Sequence, residues 1–153
     1  MGDIDNRLGS EGARPALSLE GGSFTFNGLN LATPPTTQSV GQVTLASGAS
    51  VITVTRNTAG TPCLVGTSLA TTPGAYAQFV GTTLGASAAS VSQIYFATPP
   101  STVGGGGADN SPAKSIVPAT RIGNDFVAYG LYGIRPLAAT EYRATGDINT
   151  AGD

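Results

Sequence analysis

The chain has 153 residues, of which 10% are charged; its formal net charge is −2, and it contains no histidine, no tryptophan and one cysteine. That balance argues against a nucleic-acid partner, which needs clustered Lys and Arg to neutralise phosphates. It also excludes a fold stapled by an internal disulfide. With 40% hydrophobic residues and half the chain made of Gly, Ala, Ser and Thr, the composition reads as an ordered domain with a neutral, hydroxyl-rich surface rather than a disordered polymer.

Residues 1–16 are polar, charged and punctuated by Gly and Pro, and they read as an extended N-terminal arm. Asp3, Asp5, Arg7, Glu11 and Arg14 all fall in this stretch, whereas from Gly21 to Ala108 the only formal charge is Arg56. So little apolar surface cannot fold alone, and the arm is expected to be mobile in the free protein. It is expected to order by adding a strand to a partner's sheet edge. The start lacks the basic and apolar regions of a signal peptide. Asn6 stands where an N-myristoylation motif needs Ser or Thr. No run approaches the length of a membrane span. Synthesis in the cytoplasm without membrane contact is the expectation.

A β-domain is expected over residues 17–146. "LSLEGGSFTF" predicts a hairpin around Gly21 and Gly22, with Leu17 and Leu19 on one face and Phe24 and Phe26 on one face of the second strand. "QVTLASGASVITVT" predicts strands at Gln42–Ala46 and Val51–Thr55 joined by a Ser-Gly-Ala-Ser turn, the branched Val51, Ile52 and Val54 favouring extended backbone. Further strands are expected at Cys63–Gly66 and Val91–Phe96. "TPGAYAQFVG" suits either strand or helix. "DFVAYGLYGIR", from Asp125 to Arg135, is apolar on both faces and reads as one long strand lying centrally between two layers. "PLAATEYRATG" predicts a short helix with Pro136 at its first position and Gly146 just past its end, and residues 147–153 read as a C-terminal tail. The 22 glycines and 10 prolines cut the remainder into short pieces. All-β is therefore the expected class, as a small sandwich or barrel with long Gly/Pro/Thr loops. "LNLATPPTTQSVG" at Leu29–Gly41 echoes "IYFATPPSTVGGG" at Ile94–Gly106, which reads as independent recruitment of Thr and Pro or as a duplicated β unit.

Chemistry-bearing residues are scarce. Without histidine the commonest general base and zinc ligand are missing. "DIDN" at Asp3–Asn6 opens like a calcium loop, but Arg7 takes the next ligand position and the later Glu is absent. "SPAK" at Ser111–Lys114 has Ser-x-x-Lys spacing, yet the companion motifs of serine acyl enzymes are missing and Pro112 spoils the helix such a pair needs. It reads as a solvated loop. Cys63, between Pro62 and Leu64, reads as packing rather than reactive. No catalytic residue, cofactor or metal is expected. Arg7, Arg14, Tyr129, Tyr132, Arg135, Tyr142 and Arg143 are the candidate partner-interface residues, because aromatic and Arg side chains anchor subunit contacts.

A neutral β-domain of this size with a charged arm resembles the virion structural proteins of tailed bacteriophages, particularly the small capsid decoration (cement) proteins. The likeness lies in size, composition and layout, and no diagnostic motif carries a residue across. It implies a non-enzymatic structural protein on the capsid surface of a virion. It further implies a major capsid protein or other virion subunits as partners, and assembly as a homo-oligomer, with a trimer expected. A phage tail, fibre or head-spike component and a carbohydrate-binding or adhesin module are the alternative readings.

Overall fold

The computed structural model describes residues 8, 13–29, 36–58, 60–87 and 89–142. They form twelve strands: β1 (Leu17–Glu20), β2 (Ser23–Asn27), β3 (Thr37–Ser39), β4 (Val43–Ser47), β5 (Ala49–Thr55) and β6 (Cys63–Gly66), then β7 (Leu69–Thr71), β8 (Tyr76–Gly81), β9 (Gln93–Phe96), β10 (Thr120–Ile122), β11 (Asp125–Gly130) and β12 (Gly133–Pro136). Among the first nine, no strand pairs with its neighbour in sequence. β1 pairs with β4 and β4 with β7; β2 with β5 and β5 with β8; β3 with β6 and β6 with β9, every pair parallel. The chain therefore visits three sheets in a fixed order three times. It winds three coils of a parallel β-solenoid, each coil lying on the one before.

Register makes the core. Leu17, Val43 and Leu69 pair in one line, as do Leu19, Leu45 and Thr71. On the second sheet Phe24, Ile52 and Phe79 align, and on the third Gln38, Leu64 and Ile94. Successive rungs in these lines lie 26 to 30 residues apart. Because side chains alternate along a strand, every second residue of each coil points inward onto the same position of the next. Leu45, Ile52, Val54, Leu64, Phe79, Ile94 and Phe96 are buried in one continuous cluster. Size complementarity matters within it: the Phe96 ring occupies the space a side chain on Gly66 would need.

Each passage from the first sheet to the second turns on a glycine with positive φ: Gly21, Gly48 and Gly74, at 84°, 62° and 85°. That left-handed conformation is one that L side chains resist. The corners also stack closely, since a Cβ on Gly48 would lie 3.2 Å from the Gly21 Cα.

The C-terminal end is closed by a different device. β10 adds a parallel fourth rung beside β8, and β11 and β12 extend that sheet antiparallel. Two-residue turns at Gly123–Asn124 and Leu131–Tyr132 make these hairpins. Gly133 then presses on β9 so closely that a Cβ there would collide with the Ile94 carbonyl oxygen.

The all-β expectation holds, but the sandwich or barrel does not: the sheets are three and largely parallel. Gly21–Gly22 and Ser47–Ser50 are corners between sheets, not hairpin turns. Asp125–Arg135 is not one central strand but the outermost hairpin of its sheet, with Leu131 at its tip. The expected helix from Pro136 is replaced by the end of β12 and a single 3-10 turn at Ala139–Glu141; its remainder from Arg143 lies outside the described residues. "TPGAYAQFVG" is strand β8. The two Ala-Thr-Pro-Pro stretches are not equivalent rungs either, for β9 ends before the second whereas β3 begins after the first.

Gly133→Ala is expected to combine positive-φ strain with the Ile94 collision and to lower the melting temperature by roughly 10 °C or more. Gly123→Ala, also at positive φ but facing open space, is expected to cost only about 1 kcal/mol. Thermal melts of the two variants check this, and equal losses would contradict the packing of the hairpin on β9.

Candidate assembly interface

The polar centre of the molecule is built on the closing hairpin. Arg135 of β12 stands opposite Ala128 of β11 and reaches over Gly130, where a Cβ would lie 3.1 Å from its Nε. Beyond Pro136 the 3-10 turn brings Glu141 back beneath the guanidinium. Arg135 donates to both Glu141 carboxylate oxygens at 2.7 and 2.6 Å. Glu141 also accepts the backbone N–H groups of Ala138 and Asn110, each at 2.8 Å. Its carboxylate is fully enclosed. Arg135 binding, opposed by burial and helped by the two N–H donors, pulls the Glu141 carboxyl down to about 2.

Asp109 joins the same network. It accepts from Arg135 at 3.0 Å and pairs with Lys114 at 2.5 Å, and the Lys114 contact is the main cause of its lowered pKa. Arg135 is held more firmly protonated in return, chiefly by Glu141. Four charges thus tie the hairpin, the 3-10 turn and the glycine-rich loop into one clamp. Lys114 is not the solvated loop residue that its glycine-rich surroundings suggest; its side chain is only 15% exposed. Ser111 Oγ accepts the Ala113 N–H at 3.2 Å, a local turn contact.

The five expected interface residues that lie among the described ones do not gather at one site. Tyr129 faces inward from β11: its hydroxyl accepts the Phe96 N–H at 2.8 Å and donates to the Phe96 carbonyl at 2.7 Å. A side chain thereby seals the outer edge of β9 where a further strand would otherwise pair, and burial raises the pKa of the phenol. Arg135 is consumed by the clamp. Tyr132 and Tyr142 are exposed; Tyr142 donates to Asp125 at 3.0 Å and lies against Phe126, ring centroids 6.4 Å apart. Arg14 sits where the arm joins the body, its carbonyl beside Gly41. Arg7 and Arg143 lie outside the described residues. Phe126 and Leu131, exposed at 54% and 80%, were missed by sequence reasoning. Treating Asp125–Arg135 as buried on both faces concealed that one face of an edge hairpin meets solvent.

The broader candidate surface is the outside of the coils. Ser18, Thr44 and Ala70 line one outward stack and Thr25, Thr53 and Val80 a second, while on the third sheet Val65 and Tyr95 face outward beside Ser39, which is only 4% exposed. None carries a charge. Cys63 belongs to such a stack between Thr37 and Gln93; burial lifts its thiol to about 11, so it remains protonated at neutral pH. Among the described residues, no group of three or more His, Cys, Asp and Glu side chains comes together to hold a metal. What this surface can do is pack: flat, neutral rows give up little solvation when covered, unlike exposed charges.

The clamp sets a pH dependence. The Glu141 carboxyl ordinarily titrates near 4.5 and in the fold at about 2. A depressed folded-state pKa means full stabilisation above about pH 4.5, lost as the pH falls from there through about 2. The melting temperature is expected to fall across that window. Glu141→Gln is expected to lose about 2–4 kcal/mol at neutral pH and to show a shallower acid decline. Superimposable pH profiles for the two proteins would remove the clamp from the stability of the fold.

No protein family, curated protein or solved structure matches the chain, and the functional reading therefore rests on its own geometry.

Proposed function

We propose that this is a non-enzymatic structural protein of a virion, an accessory capsid decoration protein that stabilises a shell through subunit contacts. The observation that carries the reading is the run of neutral outward stacks on a stiff parallel solenoid. An isolated domain at net charge −2 has weak electrostatic protection against association. Rows of Ser, Thr, Ala and Val that repeat from coil to coil suit burial against neighbours better than lifelong exposure to water. A shell lattice supplies such neighbours, with the major capsid protein or other virion subunits as partners and a homo-oligomer as the working unit. The ionisable groups do not compete with this role, since Arg135 and Glu141 satisfy one another and the chain has no histidine.

One observation favours a second reading, as a phage tail, fibre or head-spike component. Coils that repeat along a single axis build rods, because each contacts only its neighbours, and rods suit projections from a particle.

Electron microscopy of particles from the genome that encodes the chain, with and without its gene, separates the two. Density spread over the shell at a fixed lattice position, absent from the deletion particles, is the expected result. Density confined to a projection would select the second reading. Particles that contain none of the protein would overturn both.

A further inference from the structure

Two of the three sheets are finished beyond the third coil. β10 adds a fourth rung beside β8, and the Tyr129 hydroxyl bonds the N–H and C=O of Phe96 on β9. The first sheet stops at β7, which pairs with β4 alone. The reason lies in Ala-Thr-Pro-Pro. After β9 the chain still stacks on the coil before it, Ala97 donating to Gly66 at 3.0 Å and Thr98 to Thr67 at 2.8 Å. The residues that come next, where a rung along β7 would start, are Pro99 and Pro100, which have no N–H to give. Each earlier pairing in this sheet opens on one bond, Leu17 N–H to Gln42 and Val43 N–H to Ser68. Leu69 makes no such bond among the described residues.

β7 is left with a patterned edge. The Ser68 C=O accepts from Val43 and the Thr72 N–H donates to Leu45. Backbone groups alternate sides along a strand, so Leu69 and Thr71 turn their N–H and C=O groups away from β4. None of these four groups bonds to a described residue. A groove of about 360 Å³ runs along them, lined by β7 together with Pro100, Ser101, Val117 and Pro118. Val117 is buried in the core cluster and anchors its wall to the body. No residue that lines the groove is charged. Natural edges are blunted by a lysine, a bulge or a proline on the edge strand itself. β7 reads Leu-Ala-Thr in unbroken register and has none of these.

We propose that the β7 edge is a docking site for an extended, uncharged segment of another protein chain, which enters as the fourth rung of the first sheet. The occupant is identified by the groups it must satisfy. A donor and an acceptor on every second residue are met by extended backbone, whereas a helix spends its own backbone bonds internally. The three residues of β7 span about 10 Å, so the contact is short and its bonds come from alternate residues of the guest. Charged side chains would lose water in the groove and find no counter-charge there, which leaves small apolar and hydroxyl side chains as the ones that fit. The inference holds whichever assembly supplies the segment, and it does not rest on the capsid reading.

Amide exchange and a peptide titration test the assignment on the full chain. In the free protein the Leu69 and Thr71 amides are expected to exchange about tenfold or more faster than those of Ala70 and Thr72, which face β4. The probe is a blocked peptide of the β4 sequence, Val43–Ser47, which is uncharged and already forms a rung of this sheet. Adding it is expected to shift the Leu69, Thr71 and Ser101 amide resonances and to slow exchange at Leu69 and Thr71. N-methylation of alternate peptide nitrogens removes either the donors that face β7 or those that face water. One of the two alternate patterns is therefore expected to weaken binding by about fivefold or more, and the other to leave it nearly unchanged. Thr71→Pro, which deletes one outward N–H of the edge, is expected to weaken binding of the unmodified peptide by a similar factor. Leu69 and Thr71 amides already protected in the free protein would overturn the site. So would the absence of shifts at millimolar peptide, or equal effects of the two methylation patterns.

Discussion

Everything else in the molecule depends on coil stacking in register. When Ile52 lies on Phe79 and Phe24 on Ile52, each inward side chain is buried by the equivalent side chain one coil away, and the backbone ladders run uninterrupted along each sheet. A slip of one residue would turn every apolar side chain outward. Register is therefore held from several sides at once: by apolar alternation, by the corner glycines at Gly21, Gly48 and Gly74, and by matched sizes such as Phe96 over Gly66. Stability in such an array is nearly a sum of coils and coil interfaces. With only three coils, the ends count for as much as the middle.

The two ends are finished by different chemistry. At the C-terminal end the antiparallel hairpins cover the last coil, Tyr129 bonds the free edge of β9, and the Arg135–Glu141 pair locks the covering elements together. Buried ion pairs contribute little net stability over well-packed apolar groups, yet losing one partner is costly. The clamp acts as a fastener whose pieces come from three separate segments. At the N-terminal end, among the described residues, no such hairpin covers β1, β2 and β3, each of which pairs on one side only.

Part of this was legible in the residues. Val51, Ile52 and Val54 announced β5, and strands were readable at Cys63–Gly66 and Val91–Phe96, the second of which begins at Gln93 in the fold. What they could not announce was the partner of each strand. A short apolar run followed by Gly and another apolar run looks the same whether the glycine makes a hairpin or a solenoid corner, because both need positive φ. The distinguishing signal was the interval: Leu-x-Leu-x-x-Gly at Leu17 and Leu19 returns near Val43 and Leu45 and again near Leu69, about 26 residues apart, the range typical of solenoids. The more conspicuous repeat of Ala-Thr-Pro-Pro masked it. The clamp was hidden for another reason, since Asp109, Lys114, Arg135 and Glu141 are scattered over more than thirty residues and meet only through the hairpin. Arg135 and Tyr129, expected from sequence as partner-interface residues, bond within the protein to Glu141 and to the Phe96 backbone.

The claim at the centre of this account is that neighbouring strands in sequence lie in different sheets. Proton–proton contacts measured by nuclear magnetic resonance test it directly. Stacked coils predict contacts linking Phe24 to Ile52 and Ile52 to Phe79, with parallel backbone contacts from Thr25 to Thr53 and from Thr53 to Val80. Antiparallel backbone contacts between Leu19 and Phe24, or between Leu45 and Ile52, would instead place these strands in hairpins and contradict the solenoid.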